Sequence, residues 1–500
     1  MATVAKRIRC AAPRDIAAFT PRDLVISLPF DVVPDDAFGS LFEPLSRWPI
    51  FMHEFVHFLE TATTGYGLRM LGMEIQRSFQ LFVLLTSEGT AQQGVLAVPF
   101  VDWLLRRRGD LDTEHFRPLA YATMLERKLQ YLSGATEITR DDLATASIVQ
   151  ETDSWQVVSL DVSRHFPHLE EDSPRRLPFL QSKDGQHIFP LSTTIIRESH
   201  GMAHQAFAMA GTMPVKEANK ELERLQSDPE HALYFSLSHF VGEVLESKRV
   251  SLTLVGLLCE LSLLMDHFLI ITQGGKRGAK EEREIAQFRH RDNPGWVFLD
   301  LLEKMRSFPE QSRCRPLSGE EIHDLANHLC SECGFPPPRA IGKAMLKYFE
   351  HSFSPALEPI PVSPEAKQHI RRIVGDALRW RVNHCGGLLA PWFLTDDDTR
   401  DSPLTPQFLA SVLPAIVWNN AVSHSADMIS SSWGSFPVFE LTCFHSLIQS
   451  LAYQANSCCP ITSLLPRAER QQLCPSCNHD FTDRATLSRD DRCPYLNIID

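Results

Sequence analysis

Apolar residues recur at helical spacing along most of the chain, whereas alternating runs of the strand type are few and short. Long helical patterns cover residues 68–85 and 232–271. Because this periodicity buries one face of a helix, it predicts a mainly α fold.

Two regions depart from the helical pattern. Residues 23–33 contain a run of aliphatic residues that predicts a strand. A second pair of runs flanks Asp184 and Gly185, which favour a tight turn, and so predicts a β-hairpin over about residues 177–191. The expected fold is therefore mainly α with a small β-hairpin or sheet.

Length and proline-rich breaks predict several structural units. A chain of 500 residues corresponds to about two to four domains. A polar segment at 274–283 and prolines near 334–338 and 355–364 interrupt the helical pattern. The expected units are a domain over 1–275, a helical intermediate region over 276–360, a helical domain over 361–455 and a cysteine-rich module over 456–500.

Composition narrows the class of protein. Hydrophobic residues make up 43% and charged residues 22%, proportions that exclude collagen-like and disordered chains. The 49 basic and 62 acidic residues give a net charge of −13, which disfavours a broad basic face for nucleic acid. We therefore expect a globular protein with no nucleic-acid partner.

The sequence also indicates a location. Residues 1–13 carry basic side chains but no apolar core of the length that a secretory signal needs. The most apolar stretch, residues 251–272, contains Glu260 and Asp266, which a transmembrane span tolerates poorly near its centre. We expect a cytoplasmic protein without a membrane partner.

The clearest chemical motif is His-Glu-Phe-Val-His at residues 53–57, an HExxH pattern. Two histidines four residues apart share one helical face and can bind the same metal ion, while the glutamate can act on a water molecule. Pro49 suits a first helical turn and Gly65 suits a helix end. The motif is therefore expected inside a helix over residues 49–64.

The other faces of this helix are apolar, so the polar stripe of His53, Glu54, His57 and Glu60 is expected to face the interior. Buried ionisable groups need partners, and a divalent cation is an efficient one. The alternative is a solvent-facing stripe on an ordinary amphipathic helix. Glu60 lies about 10 Å along the axis from His53, so we expect it to contact a ligand rather than the same ion.

A catalytic zinc ion takes three protein ligands and leaves a fourth position open. A second predicted helix, residues 193–210, offers Glu198 among apolar neighbours, where an uncompensated charge is costly. Glu198 is the favoured third ligand, and His200 and His204 are alternatives as a ligand or as contacts of one. Small side chains that permit close helix packing follow at Gly201, Ala203, Ala206 and Ala208.

The segments HEFVHFLE at 53–60 and RESHGMA at 197–203 resemble the gluzincin class of zinc metallopeptidases, in particular helical bacterial members with an HExxH helix and a later glutamate helix. The resemblance implies that His53, His57 and Glu198 bind a catalytic zinc ion. It also implies that Glu54 is the general base and proton shuttle. The resemblance is confined to these two segments and their surroundings.

The expected function is hydrolysis of peptide bonds in a protein or peptide substrate. His200, His204 and Tyr66 are available as donors to the oxyanion, and the hairpin over 177–191 could serve as an edge for an extended substrate. A cytoplasmic peptidase needs restraint or selectivity, so a regulatory protein partner belongs to this expectation. The alternatives are a non-catalytic, metal-stabilised binding or scaffold protein and a metal-dependent hydrolase of a small amide.

Clustered cysteines predict a second, structural zinc ion near the end of the sequence. Four thiolates at this spacing fit a closed tetrahedral site, and free thiols in a loosely ordered tail are the alternative. The favoured ligands are Cys459, Cys474, Cys477 and Cys493, with Cys458 or His479 as substitutes. Cys330 and Cys333 form another CxxC pair. This pair could bind a metal ion, but two cysteines on one buried face of a helix would have the same spacing, so the sequence leaves both possibilities open.

Overall fold

The computed structural model describes residues 17–20, 24–28, 47–86, 101, 105, 113–134, 142, 145–162, 176–247, 250–266, 293–308, 319–384, 387–389, 415–418, 444, 445 and 448. Helices account for 73% of these residues, which confirms the prediction of a mainly α fold. The predicted structural zinc site at Cys459, Cys474, Cys477 and Cys493 lies outside the described residues, as does the break predicted at 274–283.

The helices confirm the predicted elements around the HExxH motif. The helical pattern over 232–271 contains two helices, because the chain turns after residue 244 and Glu246 adopts a left-handed φ of 52°, which ends a right-handed helix. Within the described ranges, no helix is both long and apolar enough to cross a membrane. The helices are α1 Arg47–Thr63, α2 Gly65–Thr86, α3 Thr113–Ser133, α4 Thr193–Thr212, α5 Val215–Ser227, α6 Ala232–Val244, α7 Leu252–Leu264, α8 Pro294–Met305, α9 Gly319–Glu332, α10 Pro338–Tyr348 and α11 Pro364–His384.

Two small sheets accompany the helices. Strands β1 Ala18–Thr20 and β2 Val25–Leu28 pair antiparallel, and β2 pairs in parallel with β7 Ala415–Trp418. The second sheet is antiparallel, with its strands in chain order: β3 Ser147–Glu151, β4 Trp155–Asp161, β5 Arg176–Ser182 and β6 Ile188–Pro190. The predicted hairpin is β5–β6, whose turn contains Gly185 at a φ of 71°.

Helix α7 lies at the centre of the helical core. It is apolar on nearly every side and almost all its residues are buried, against α2, α4 and α8. Small residues allow close approach to α4, since a Cβ atom added to Gly256 would lie 3.2 Å from the Cβ atom of Ala203. Helix α4 in turn packs along α1, so the two predicted metal-binding helices are neighbours.

Both acidic residues in the most apolar stretch are buried and paired. Asp266 follows α7 and forms an ion pair with Arg69 of α2, at 3.1 Å. Gly65, which begins α2, allows this contact region to pack closely, because a Cβ atom there would lie 2.6 Å from the Cβ atom of Asp266. These charges are therefore core components of a globular protein rather than interruptions of an apolar span.

Glu260 of α7 anchors a second buried polar network. Its carboxylate accepts hydrogen bonds from the guanidinium of Arg381 on α11, at 2.5 Å, and from the backbone N–H of Leu389. Arg381 also donates to the hydroxyl of Thr63 at 2.9 Å and to the carbonyl of Gly387 at 2.8 Å. Because Thr63 is the last residue of α1, this network fixes the end of the HExxH helix.

Candidate metal centre

The polar stripe of α1 faces the protein interior, as the sequence predicts. His53, Glu54, His57 and Glu60 each keep at most 7% of their surface exposed. The rings of His53 and His57 meet edge to face with their centroids 4.7 Å apart, because one helical turn separates them. The alternative of an exposed amphipathic stripe is therefore wrong.

Glu198 reaches this stripe from α4. Its Oε2 atom lies 3.3 Å from His53 Nε2 and 3.6 Å from His57 Nε2. Donor atoms of these three residues all lie within 4.8 Å of one another, and across the described ranges they form the one group of three or more such residues that could hold a metal ion. His200 and His204, the alternative third ligands, are not part of it.

The distances from Glu198 Oε2 to the two histidine nitrogens suit a zinc ion. Zinc binds histidine nitrogen and carboxylate oxygen at about 2.0–2.2 Å in tetrahedral geometry, which places two ligand atoms roughly 3.3–3.6 Å apart. His57 Nε2 and His53 Nδ1 are buried nitrogens without a hydrogen-bond partner in the described part of the chain. An unpartnered buried polar atom is destabilising, and coordination of His57 Nε2 would relieve one such penalty. The residues present therefore fit the ion.

Glu60 orients the second histidine. His57 Nδ1 donates to Glu60 Oε2 at 2.8 Å, which leaves Nε2 as the ring nitrogen on the side of Glu198 that a metal ion would bind. The same carboxylate accepts hydrogen bonds from Arg197 Nε at 2.9 Å and from His200 Nδ1 at 2.6 Å. Glu60 thus contacts His57, one of the predicted ligands, as its position in the helix predicts.

Arg197 and the two later histidines support this arrangement from α4. Arg197 Nη2 donates to the carbonyl of His57 at 2.8 Å and so joins α4 to the backbone of α1. The Nε2 atoms of His200 and His204 lie 2.9 Å apart, and burial together with the charge at His200 holds the pKa of His204 well below its usual range. His200 and His204 therefore act behind the donor group and not within it. Sequence reasoning missed Arg197, although it adjoins Glu198.

The carboxylates of Glu60 and Glu198 favour a positive charge at the donor group. Burial alone would lower the pKa of His57, but the carboxylates of Glu60 and Glu198 outweigh it and raise that pKa to about 10. Burial likewise opposes ionisation of Glu198, yet contacts with His57 and His53 hold its pKa far below the usual range. Two carboxylates that remain ionised, a buried one at Glu60 and a partly buried one at Glu198, provide a suitable environment for a cation.

Gly201 permits the close approach of α4 to the histidines. A Cβ atom added to Gly201 would lie 2.9 Å from both Cε1 and Nε2 of His53 and 3.0 Å from Cε1 of His57. Such contacts are shorter than van der Waals distance, so any side chain here would displace the rings. The small residue that the sequence offers for helix packing thus lies directly against the donor group.

Gly201→Ala is expected to weaken zinc binding by roughly tenfold, the lower end of what disturbing the support of a ligand costs. The matched control is Gly211→Ala in the same helix, where a Cβ atom would have no neighbour within 4 Å. Both substitutions raise helix propensity by about 1 kcal/mol, so a difference between them isolates the ring contact. Competition with a chromophoric chelator measures it, and equal affinities would contradict this account of Gly201.

Protein-family models, curated proteins and solved structures offer no match to this chain. The resemblance to gluzincins stays an expectation carried by segments 53–60 and 197–203. What the structure adds to those segments is the distance between them: residues about 140 positions apart in sequence lie in hydrogen-bond contact.

A cleft of about 560 Å³ opens beside the donor group, with His53 and Glu54 in its wall. Further residues of α1, together with α4, α5, the turn Pro229–His231, α6, Met213 and Ala17, complete the wall. The hairpin over 177–191 contributes no residue to this cleft. The hairpin is therefore not a binding edge for a substrate that occupies this cleft. Tyr66, His200 and His204 are also not among the residues that line this cleft, and their role as donors to the oxyanion stays a prediction.

Tyr234 of α6 is the cleft residue that sequence reasoning missed. Its ring lies edge to face with that of His53, with centroids 5.6 Å apart. Burial, together with the charges of Glu198 and Glu54, raises the pKa of the phenol, so the hydroxyl keeps its proton. Nothing in the local sequence marks this residue, because only the tertiary fold brings α6 to the motif.

Cys330 and Cys333 are buried at the end of α9, and neither forms a disulfide with a described residue. Burial raises the pKa of Cys330 to about 12, which disfavours the thiolate that a metal requires. Among the described residues they join no group of three donors. Packing explains the pair without a metal.

Proposed function

We propose that the protein is a zinc-dependent metallopeptidase of the cytoplasm that hydrolyses peptide bonds in a protein or peptide substrate. One observation carries the proposal: Glu198 Oε2 lies 3.3 Å from His53 Nε2 and 3.6 Å from His57 Nε2. Glu54 lies beside these residues, in the wall of a cleft. A cleft of this volume accommodates several residues of a peptide.

Zinc held by His53, His57 and Glu198 would supply a Lewis acid that polarises the scissile carbonyl group and makes a water molecule more acidic. Glu54 accepts a proton from the attacking water and returns it to the leaving amine. Tyr234 donates a hydrogen bond to the carbonyl oxygen as negative charge develops there.

Glu60, Arg197 and His200 act as positioning residues in this proposal. They hold His57 through its Nδ1 atom and its carbonyl, so the ring presents Nε2 toward Glu198. Support of this kind keeps a ligand in its productive orientation before substrate binds.

Metal analysis tests the proposal directly. Wild-type protein is expected to contain one more equivalent of zinc than the His53→Ala, His57→Ala double variant, a difference that is independent of any zinc bound by the cysteine-rich segment. Zinc removal is expected to abolish cleavage of a peptide mixture, and zinc addition to restore it.

Three outcomes would overturn the proposal in different ways. Equal zinc contents would remove the metal site. Zinc bound without turnover of peptides or small amides would indicate a non-catalytic binding protein. Turnover of small amides alone would assign a small-molecule amidase.

A further inference from the structure

The cleft beside Glu54 has two chemically distinct parts. One part is apolar, with Ile50 of α1, Met202 and Met209 of α4, and Met213 after that helix. Methionine side chains are unbranched and polarisable, so they adapt to ligands of different shapes. The apolar part therefore suits a large apolar side chain of no single shape.

The other part of the cleft wall includes one stripe of α5. Glu217, Glu221, Arg224 and Leu225 recur at helical spacing and all line the cleft. At 1.5 Å per residue this stripe is about 12 Å long, the length of about four residues of extended peptide. A peptide held at Glu54 thus has room to run along α5.

The charge of this stripe is not balanced. Arg224 donates two hydrogen bonds to Glu221, at 2.8 and 2.6 Å, so these two side chains neutralise each other. Glu217 is exposed and forms no ion pair with any described residue. Among the α5 residues of the wall, Glu217 therefore carries a negative charge that the Glu221–Arg224 pair, one helical turn away, does not balance.

We infer that the substrate is an extended polypeptide segment with a bulky apolar residue beside the scissile bond and a basic residue, Lys or Arg, within the next few positions over α5. This inference rests on the proposed function and names the substrate class of the same site. The apolar residue occupies the methionine-lined part, and the basic residue forms an ion pair with Glu217.

Matched peptides test this inference. Four unstructured peptides carry either Leu or Ala at one position and either Lys or Glu two residues away. With zinc-loaded protein, Leu is expected to exceed Ala by about 30-fold in kcat/KM, because a side chain of this size gains the burial of several methylene groups. Lys is expected to exceed Glu by roughly fivefold, a preference that high salt removes because the ion pair is exposed.

Two charge reversals on α5 test whether Glu217 causes the preference for Lys over Glu. Glu217→Lys is expected to abolish or invert the preference for Lys while the preference for Leu stays. Glu223→Lys changes the same net charge on the same helix at an exposed position outside the cleft wall, and is expected to leave both preferences unchanged. Met213→Trp fills the apolar part at a half-buried position, and is expected to reverse the order of Leu and Ala.

Binding to zinc-loaded Glu54→Gln, followed by fluorescence anisotropy of labelled peptides, separates this inference from the proposed function. The same order of affinities without turnover in the wild type would uphold the substrate class and remove the peptidase. Turnover without preference for Leu or Lys would uphold the peptidase and overturn the inference. Identical profiles for Glu217→Lys and Glu223→Lys would also overturn it.

Discussion

Glu54→Gln is expected to lower kcat/KM for peptide cleavage by roughly 10²–10⁴-fold, the contribution of a general acid–base group. The amide is nearly the same size as the carboxylate but cannot take a proton from water. Because Glu54 lies in the cleft wall and outside the donor group, zinc content and the free energy of unfolding are expected to stay unchanged.

Elemental analysis, a urea denaturation curve and a fluorogenic peptide assay on the same preparation check this prediction. Glu223→Gln is the matched control, since it removes one exposed carboxylate on α5 outside the cleft wall. Activity retained in Glu54→Gln would exclude this carboxylate as the base. Activity lost together with zinc would assign it a role in metal binding.

Arg381→Met is expected to destabilise the protein by about 3–5 kcal/mol, because breaking a buried ion pair leaves a charge without its partner in the core. Arg381 and Glu260 are both fully buried. The substitution also removes the hydrogen bond to Thr63 at the end of α1. Urea denaturation measures the change in the free energy of unfolding.

The control for this second prediction lies on the same helix. Arg379 pairs with Asp376 one turn away, and half of its side-chain surface is exposed, so Arg379→Met is expected to cost about 0–1 kcal/mol. Adding Glu260→Gln to Arg381→Met is expected to restore part of the lost stability, since no unpaired charge then remains. An equal cost at both arginines, or no recovery in the double variant, would contradict the buried-pair account.

Local parts of the site are predictable from sequence. His53, Glu54, His57 and Glu60 belong to one helix, so helical geometry alone fixes which of them share a face and how far apart they lie. Pro49 and the apolar neighbours then predict the helix and its burial. The contact of Glu60 with His57 follows from the same geometry, and the structure has it at 2.8 Å.

The parts contributed by other helices are not predictable in this way. Glu198 could be favoured over His200 and His204 only because its apolar neighbours make an unpaired charge costly. No local sequence pattern marks Tyr234 or Glu217 as a cleft residue, since their place in the cleft depends on how α5 and α6 pack on α1 and α4. Tertiary packing, and not periodicity, decides these positions.

In the fold as well, elements with a specific local sequence pattern are predictable and the others are not. The β5–β6 hairpin was predictable because its turn residues are specific, whereas β3 was missed because Ile148 and Val149 are largely exposed and give no regular alternation. The helical pattern over 232–271 does not reveal that it contains two helices, because apolar periodicity continues across the turn at Glu246. Apolar periodicity reflects which residues are buried, so the pattern continues where the chain bends inside the core.

The hydrogen bonds at Glu60 have a consequence for how the protein exchanges its metal. His57 is held by Glu60, and Glu60 by Arg197 and His200, so the orientation of this imidazole depends on contacts made by the polypeptide itself. The ordering of the ring is then completed when the chain folds, and little reorganisation is left for the ion to drive. A chelator should therefore strip and a metal buffer refill this centre reversibly, without melting the helices around it.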